Sequence, residues 1–464
     1  MTLNLILQPT EPTLAQLDTP QICYLLVTLR PQAGQNGARP VNWALVADAS
    51  RSMRIPIVDE AQFRQLVRAG GAHEVLVDGI PVWQLTEPVD PQLRGETPSA
   101  LDYTARALHS VVEQMDAADR FTLVACAEHA RVLVPNTSGA DRAVLVQGIE
   151  QLNMIDLGEA TDLARGLHLA LNELVHGRAS SDTKTERILL LTDGFTQYPD
   201  TCLTLAQQAA AEGVTISTLG LGGDFQDDLL TALADAGGGR AMFMRHAATI
   251  PQAVTQELAA ARAVTLRTVT LTLRFSRDVT LRRATRIQPA LSQLTPTPND
   301  PRTVTLYPGD LESGTPVTIL LELLAPATPP LHPAISSVDD GTARRMRLAR
   351  LILSSPDLPT TTHDLVATYT RTPVAPPAAV LEAVAYAHAA RLQRQAMEAA
   401  ARGDHAAAAS RLRAAADRLI DLGKNDLAAA ALHEALSLEQ TGQTSGVGAK
   451  ELTYATRRLR SEEA

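Results

Sequence analysis

An apolar run, VNWALVAD, ends in Asp48-Ala-Ser50-Arg-Ser52-Met. Three oxygen-bearing side chains, Asp48, Ser50 and Ser52, alternate along this turn. Two chemistries use such a turn. Short Ser/Asp loops cap helices by accepting backbone N–H groups. The same oxygens also suit a hard divalent cation. Mg²⁺ takes six oxygens in octahedral geometry and keeps water readily, and a Ser hydroxyl can ligate it as a neutral oxygen. No motif places a His or Lys to activate Ser50 or Ser52 as a nucleophile.

The surrounding elements must hold this turn in place. From Val41 to about Arg262, β-like runs (VNWALVAD, RFTLVACA, RILLLTDG, VTISTLGLG, RAMFMRH) alternate with helical stretches. That alternation predicts a mostly parallel sheet with helices on both faces, Rossmann-like and doubly wound. ARVLVP follows RFTLVACA too closely for a crossover helix. It should be an antiparallel edge strand, turned at Glu128 and His129. The strand before the motif ends in Asp48, RILLLTDG brings Asp193 to a strand end, and GEATDLARGL puts Thr161 ahead of a helix. Open α/β sheets bind ligands at this carboxyl end.

Residues 36–262 resemble a von Willebrand factor type A domain, the fold of integrin inserted domains, with its metal-ion-dependent adhesion site. The resemblance implies a ligand set of Asp48, Ser50, Ser52, Thr161 and Asp193. Asp48 and Asp193 would act mainly through bound water, and Thr161 directly or through water. Few direct anionic ligands leave the ion electron-poor, so an Asp or Glu of a partner protein can complete its shell. Water-keeping, hydroxyl-rich ligation favours Mg²⁺, with Mn²⁺ or Ca²⁺ open. The helix at 249–261 would shift on ligand binding.

Two departures from the family pattern stand out. Arg51 occupies a position that is often Gly, and it either draws an acidic partner or points to solvent. Residues 54–97 also intervene before the first helix. This insert holds a short helix in DEAQFRQLVRAGG and a β-hairpin in HEVLVDGIPVWQL, turning at Asp78-Gly79. Its Trp83 either anchors a partner or fills the insert's own small core.

On either side of this domain the period changes to two. Residues 263–372 hold six candidate strands, and LNLILQ and QICYLLVTLR add two within 1–35. The expected arrangement is an antiparallel β-sandwich built from both flanks, with the α/β domain inserted into it. After PVAPP, residues 378–464 are Ala-rich, with helices expected at 378–401, 404–422, 425–440 and 446–460. Their spacing is similar to tetratricopeptide hairpins. The order also resembles bacterial cytoplasmic A-domain proteins and, loosely, inter-alpha-trypsin inhibitor heavy chains.

Composition narrows the classes of function. A net charge of -10 argues against a general nucleic-acid binder. Cys23, Cys126 and Cys202 show no C-x-x-C spacing, so buried thiols in a reducing compartment are expected. The N-terminus has no basic region or cleavage site, and no apolar run reaches the ~18 residues of a membrane span. A soluble cytoplasmic protein follows.

Arg402-Gly403-Asp404 reads as a helix break, LGLGGD at 219–224 as a turn into a helix, and GGG at 237–239 as a helix stop. Haloacid dehalogenase phosphatases resemble the motif in part, but their second Asp is Ser50 here, which cannot serve as acid/base near neutral pH. The function expected is therefore non-enzymatic: metal-dependent docking to a protein with an exposed Asp or Glu. The alternative is an adaptor subunit for an AAA+ ATPase.

Overall fold

The computed structural model describes residues 5–31, 39–57, 64, 67–68, 70–77, 80–85, 98–178, 184–223, 225–327 and 343–458. The chain opens with β1 (Leu5–Pro9), β2 (Thr13–Ala15) and β3 (Gln21–Pro31), followed by β4 (Val41–Asp48). β5 (Ala72–Val77) and β6 (Ile80–Leu85) make a separate antiparallel hairpin. The helix expected just before them lies largely outside the described residues, as do Asp78 and Gly79.

The α/β unit continues with α1 (Ala100–Gln114), β7 (Arg120–Cys126), β8 (Ala130–Ser138), α2 (Arg142–Leu152) and α3 (Leu163–Gly177). Then come β9 (Thr185–Thr192), α4 (Pro199–Ala211), β10 (Thr215–Leu221), α5 (Asp227–Ala236), β11 (Gly238–Met244) and α6 (Ile250–Arg262). Its sheet runs β11-β10-β9-β4-β7-β8. All neighbours are parallel except β8, the antiparallel edge strand on β7.

Side chains alternate across β4. Trp43, Leu45 and Ala47 enter one core with α1, α2 and α6, while Ala44 and Val46 enter another with α3, α4 and α5. Both faces are covered, which is why β4 is buried throughout and apolar at every position but Asn42 and Asp48. With aromatics scarce, Trp43 against Phe121, 5.6 Å between ring centroids, is the bulkiest contact on its face. Gly166 lets α3 approach β4: a Cβ there would lie 2.7 Å from Val46 Cγ1. That close approach brings the α3 N-terminus to the end of β4.

Two more sheets follow, built from β12 (Val264–Phe275), β13 (Thr280–Gln288), β14 (Ser292–Leu294) and β15 (Thr297–Asp300). The remaining strands are β16 (Thr303–Glu312), β17 (Val317–Ala325), β18 (Arg344–Ser355) and β19 (Leu358–Thr370). One sheet is ordered β1-β3-β17-β13-β14 and the other β15-β16-β12-β18-β19-β2. Buried residues of both, such as Leu25 and Leu321 from one and Leu271 and Leu351 from the other, share one apolar cluster.

One expectation fails here. β2 pairs parallel with β19, so the strands are not all antiparallel. No short turn joins these two strands, and only short turns force antiparallel pairing. β2, β14 and β15 were also not anticipated; they are too short to show a period.

Glycines 237–239 need correcting as well. Gly237 ends α5, but Gly238 and Gly239 begin β11. Gly238 and Gly309 have φ of +71° and +91°, and a Cβ on Gly309 would sit 2.3 Å from the Gly238 carbonyl oxygen. The missing side chains let β11 touch β16.

Asp357, between β18 and β19, ties together the two places where the chain passes between the α/β unit and these sheets. It lies 3.1 Å from Arg39 Nη1, ahead of β4, and accepts from the Arg267 amide of β12 at 2.9 Å. Burial opposes its ionisation, yet the Arg267 amide and guanidinium and Arg39 outweigh that and hold the carboxyl below its ordinary value. A lowered folded pKa contributes stability above the unfolded value of ~4, and that stability is lost as pH falls through the folded value. Asp357→Asn should therefore lower the urea midpoint at neutral pH, with the gap to wild type closing below about pH 4. A gap that does not change with pH would show that the carboxylate's charge contributes nothing.

The chain ends in α7 (Ala378–Ala401), α8 (His405–Asp421), α9 (Asn425–Thr441) and α10 (Val447–Arg458). Alanine favours helix intrinsically, and its small side chains let α7, α8 and α9 pack around Leu412, Leu419 and Leu438. Arg402-Gly403-Asp404 is a helix break: Gly403 has φ of +78°, and the Asp404 side chain accepts from Ala407 N at 3.1 Å.

α10 leaves the helical group to dock on the α/β core. Tyr454 packs on Phe225 and Phe243, and Lys450 Nζ donates to the Gly223 and Phe225 carbonyls, both at 2.6 Å. The three cysteines are free and buried, and burial pushes the Cys23 and Cys202 thiols up to about 12. Among the described residues no helix is long and apolar enough to cross a membrane.

Candidate metal centre

The carboxyl end of β4 is the floor of the site. Asp48 is fully buried there, and the chain then turns through Ser50 into a single helical turn at Ser52–Arg54. The turn is closed by Ser50 N donating to Asp48 Oδ1 at 2.9 Å. Arg54 fastens it from behind, donating to the Ala49 carbonyl and to the carbonyls of Asn153 and Ile155 in the loop after α2.

Thr161 comes from a second loop, held at three points. Asp162 N donates to the Ala127 carbonyl at 2.8 Å, the Asp162 side chain caps α3 by accepting from Arg165 N at 3.1 Å, and Thr161 bridges to Thr196. Asp193 follows β9 directly, so the adjacency of β4 and β9 places it opposite the Asp48 turn.

The structure brings the five residues together. Ser50 Oγ and Ser52 Oγ are 3.1 Å apart, Ser52 Oγ donates to Asp193 Oδ1 at 2.8 Å, and Thr161 Oγ1 lies 3.4 Å from Asp48 Oδ2. Ser50 and Thr161 are buried, Asp193 is half-buried and Ser52 is exposed, so the group opens outward from a buried floor. Thr192 is a further member that sequence reasoning missed. Its hydroxyl donates to Asp48 Oδ2 at 2.6 Å and accepts from Gly194 N at 3.1 Å. Its position before Asp193 at the end of an apolar run was the available signal.

Burial pushes the Asp48 carboxyl up from its ordinary value, against hydrogen bonds from Thr192, Ser50 and Thr161. Among the described residues no basic side chain pairs with it. A buried carboxylate without a counter-charge is costly, and a cation among these oxygens would supply one. The donor set also fits a hard ion: three hydroxyls and two carboxylates, with Gly194 against them, where a Cβ would touch Thr161 Oγ1 at 3.7 Å and Asp48 Oδ2 at 3.9 Å. Among the described residues no three His, Cys, Asp or Glu gather as a softer or more anionic site.

Arg51 is exposed beside the turn, 3.6 Å from Glu159. Trp83 lies on β6, paired in register with Glu74 of β5, and its side chain is outside the described residues. Several large apolar side chains are exposed on the same loops. Met154 is 74% and Phe195 62% exposed, with Ile55, Ile57 and Tyr198 also exposed.

Comparison with known proteins agrees with this architecture. Residues 96–256 match the von Willebrand factor type A domain, and residues 378–462 match the Sll0103-like, C-terminal alpha-helical domain. The first match begins after the insert, so it takes in Thr161 and Asp193, while β4 and Asp48–Ser52 join that sheet only in three dimensions. A von Willebrand factor type A structure from Catenulispora acidiphila is similar over 98% of this chain and 97% of its own, with TM-score 0.72 at 18% identity.

The VWA2 paralog of ArnB from Sulfolobus acidocaldarius is similar over 99% of both chains, with TM-score 0.51 at 15% identity. In sequence, the Synechocystis protein sll0103 is 27% identical over 148 residues, which is 32% of this chain and 34% of that protein. The alignment thus spans about a third of that relative's length. The match over 96–256 and the fold identify the α/β unit as a von Willebrand factor type A domain, and the match over 378–462 identifies the helices after it as a Sll0103-like C-terminal domain.

Proposed function

We propose that this chain is a non-enzymatic docking protein that grips an acidic side chain of a partner protein through a divalent cation. Asp48, Ser50, Ser52, Thr161 and Asp193 would hold the ion. The observation that carries this reading is their convergence at the outer end of the sheet, with Ser52 and Asp193 outermost and Asp48 buried without a basic partner among the described residues. The cation would present a positive, incompletely satisfied face to a carboxylate. Mg²⁺ suits this oxygen set best.

The exposed apolar side chains around the turn support the same reading, because interface centres combine a polar anchor with apolar surface shielding it from water. Arg51 would steer an acidic partner, and Trp83 in the insert hairpin would add an anchor. We also read the two strand-rich sheets as layers of one sandwich, into which the α/β domain is inserted. An adaptor role toward an AAA+ ATPase would use the same chemistry with a different partner.

The test is capture from native lysate with tagged full chain, in Mg²⁺ and in chelator. Ser52→Ala, at an exposed position, should reduce the captured partner about tenfold, the value of one strong charge-assisted contact. Phe195→Ala should weaken capture by about 1–2 kcal/mol without altering Mg²⁺ binding. A partner retained in chelator and by Ser52→Ala would move the function away from this site.

A further inference from the structure

A second site, sharing no lining residue with the metal centre, stands where α7 leaves the sheet surface. Val380 and Ala383 of α7 pack on Leu26, Ile287 and Leu320. Beyond that contact the helix diverges, leaving a cleft between α7, the β13–β17 surface, α5 and α10. Leu291, Leu320, Val384 and Ala390 give it an apolar wall.

The charges in this cleft do not balance. Glu322 lies 3.4 Å from Arg282, 3.1 Å from Arg283 and 3.9 Å from Arg391. One carboxylate thus faces three guanidinium groups. Of the other carboxylates of the cleft, Asp235 is paired with Arg457, while on α5 burial and the neighbouring Asp227 and Glu398 raise the Asp228 pKa against the weaker pull of Arg394. Arg283 and Arg391, which line the cleft, share Glu322 between them, so one positive charge remains at their end, with His388 beside it. Burial, then the neighbouring cations, hold the His388 and Arg391 pKa values below their ordinary values, as in a site short of negative charge.

A second, independent observation points to a ligand. Gln393 lines the cleft at 3% exposure, and its amide nitrogen has no hydrogen-bond partner among the described residues. An unsatisfied buried donor costs free energy that an incoming acceptor would recover.

We propose that this cleft binds a small organic phosphate monoester, its dianion held by Arg283, Arg391 and the Gln393 amide and its apolar body laid on Leu320 and Val384. Guanidinium groups match phosphate oxygens in geometry as well as charge. An apolar pocket with a few convergent polar groups is the usual form of a small-molecule site. Bound here, the phosphate would join the helical domain to both the sheets and the α/β unit.

The experiment is calorimetric titration of the full chain with phenyl phosphate and with inorganic phosphate, both in chelator so that no anion binds through a metal. Saturable one-site binding is expected, tighter for phenyl phosphate. Arg391→Gln should weaken it about tenfold, and Ala390→Phe, which fills the apolar wall and leaves every charge in place, should weaken phenyl phosphate more than inorganic phosphate. Ser52→Ala should bind like wild type. Absence of saturable binding in the wild-type chain overturns the proposal whatever the variants do. So does binding that Arg391→Gln and Ala390→Phe, both shown folded by circular dichroism, leave unchanged.

Discussion

Asp48→Asn is expected to abolish divalent-cation binding and, in chelator, to raise the melting temperature above that of wild type. The two effects share one cause. Asp48 is fully buried at the end of β4, and without a metal its charge has, among the described residues, only hydroxyl and amide donors around it. Burying a charge without a counter-charge costs several kcal/mol, partly recovered by such hydrogen bonds.

Asparagine keeps an acceptor for Ser50 N, and its amide can donate to Thr192, so little is lost when the charge goes. A gain of about 1–3 kcal/mol is expected in the metal-free protein. Wild type should instead gain from Mg²⁺ by mass action, about 2.7 kcal/mol at a hundredfold excess over Kd, and the variant should gain nothing. Thermal melting in chelator and across a Mg²⁺ series reads both effects. A variant that melts below wild type in chelator would show the carboxylate to be structural. A variant that keeps the Mg²⁺ increment would remove Asp48 from the metal centre.

Arg187→Met should destabilise the chain by about 3–5 kcal/mol, the usual cost of breaking a buried ion network from one side. Arg187 leaves β9 and is almost wholly buried, 3.7 Å from Glu257 of α6, 3.8 Å from Asp310 and 3.2 Å from Glu312 of β16. Burial disfavours its charge, but these three carboxylates outweigh that and raise its pKa. Met fills similar volume, so the loss is mainly electrostatic. It leaves the buried Glu257 and Asp310 side chains and the half-buried Glu312 with Arg240, 4.0 Å from Glu257 and paired with Glu312, and with Arg286, whose charge Glu312 also feels.

Glu257→Gln should cost less, because Arg187 keeps two partners. The pH dependence follows from sign. Orphaned carboxylates have folded pKa values above their unfolded value of ~4, so they destabilise above the folded value and are relieved as pH falls. Burial already raises Asp310 in the intact protein. The Arg187→Met deficit, measured as the first transition in urea, should therefore shrink as pH falls from neutral toward the unfolded value of ~4. A deficit below about 1 kcal/mol, or one that grows in acid, would contradict this account. The same network bears on α6, because a shift of that helix on ligand binding would have to break the Glu257 pairs. Amide exchange in 250–262 should be faster in Arg187→Met than in wild type.

Much of the fold was legible because it rests on local signals. β4 is buried on every residue and apolar at all but Asn42 and Asp48 because both its faces are covered, and such a run between turn residues reads as a buried strand. Ser99 and Asp102 form the capping box that starts α1. Asp404 after Gly403 marks the break between α7 and α8. The short distance between β7 and β8 leaves room for a hairpin alone. Signals failed where elements were short or where glycine served two purposes. β2, with three residues, shows no period, and Gly238 is a contact with β16 instead of a helix stop.

The sequence by itself determined which segments are strands and helices, and it put Asp48, Ser50, Ser52, Thr161 and Asp193 at strand ends or a helix start. Period, capping and chain order suffice for that, since each is a property of a few consecutive residues. Only the tertiary structure decided which segments became neighbours. It set β4 between β9 and β7, so that Asp193 and Thr161 meet the Asp48 turn across a 44-residue insert spanning 54–97. It gave Thr192 its bond to Asp48, gathered Arg187 with Glu257, Asp310 and Glu312, and left Arg283, Arg391 and Gln393 around an open cleft. These are polar contacts between residues up to hundreds of positions apart. Their partners are chosen by how covered sheets and helices fit together, and no local pattern in the chain encodes that fit.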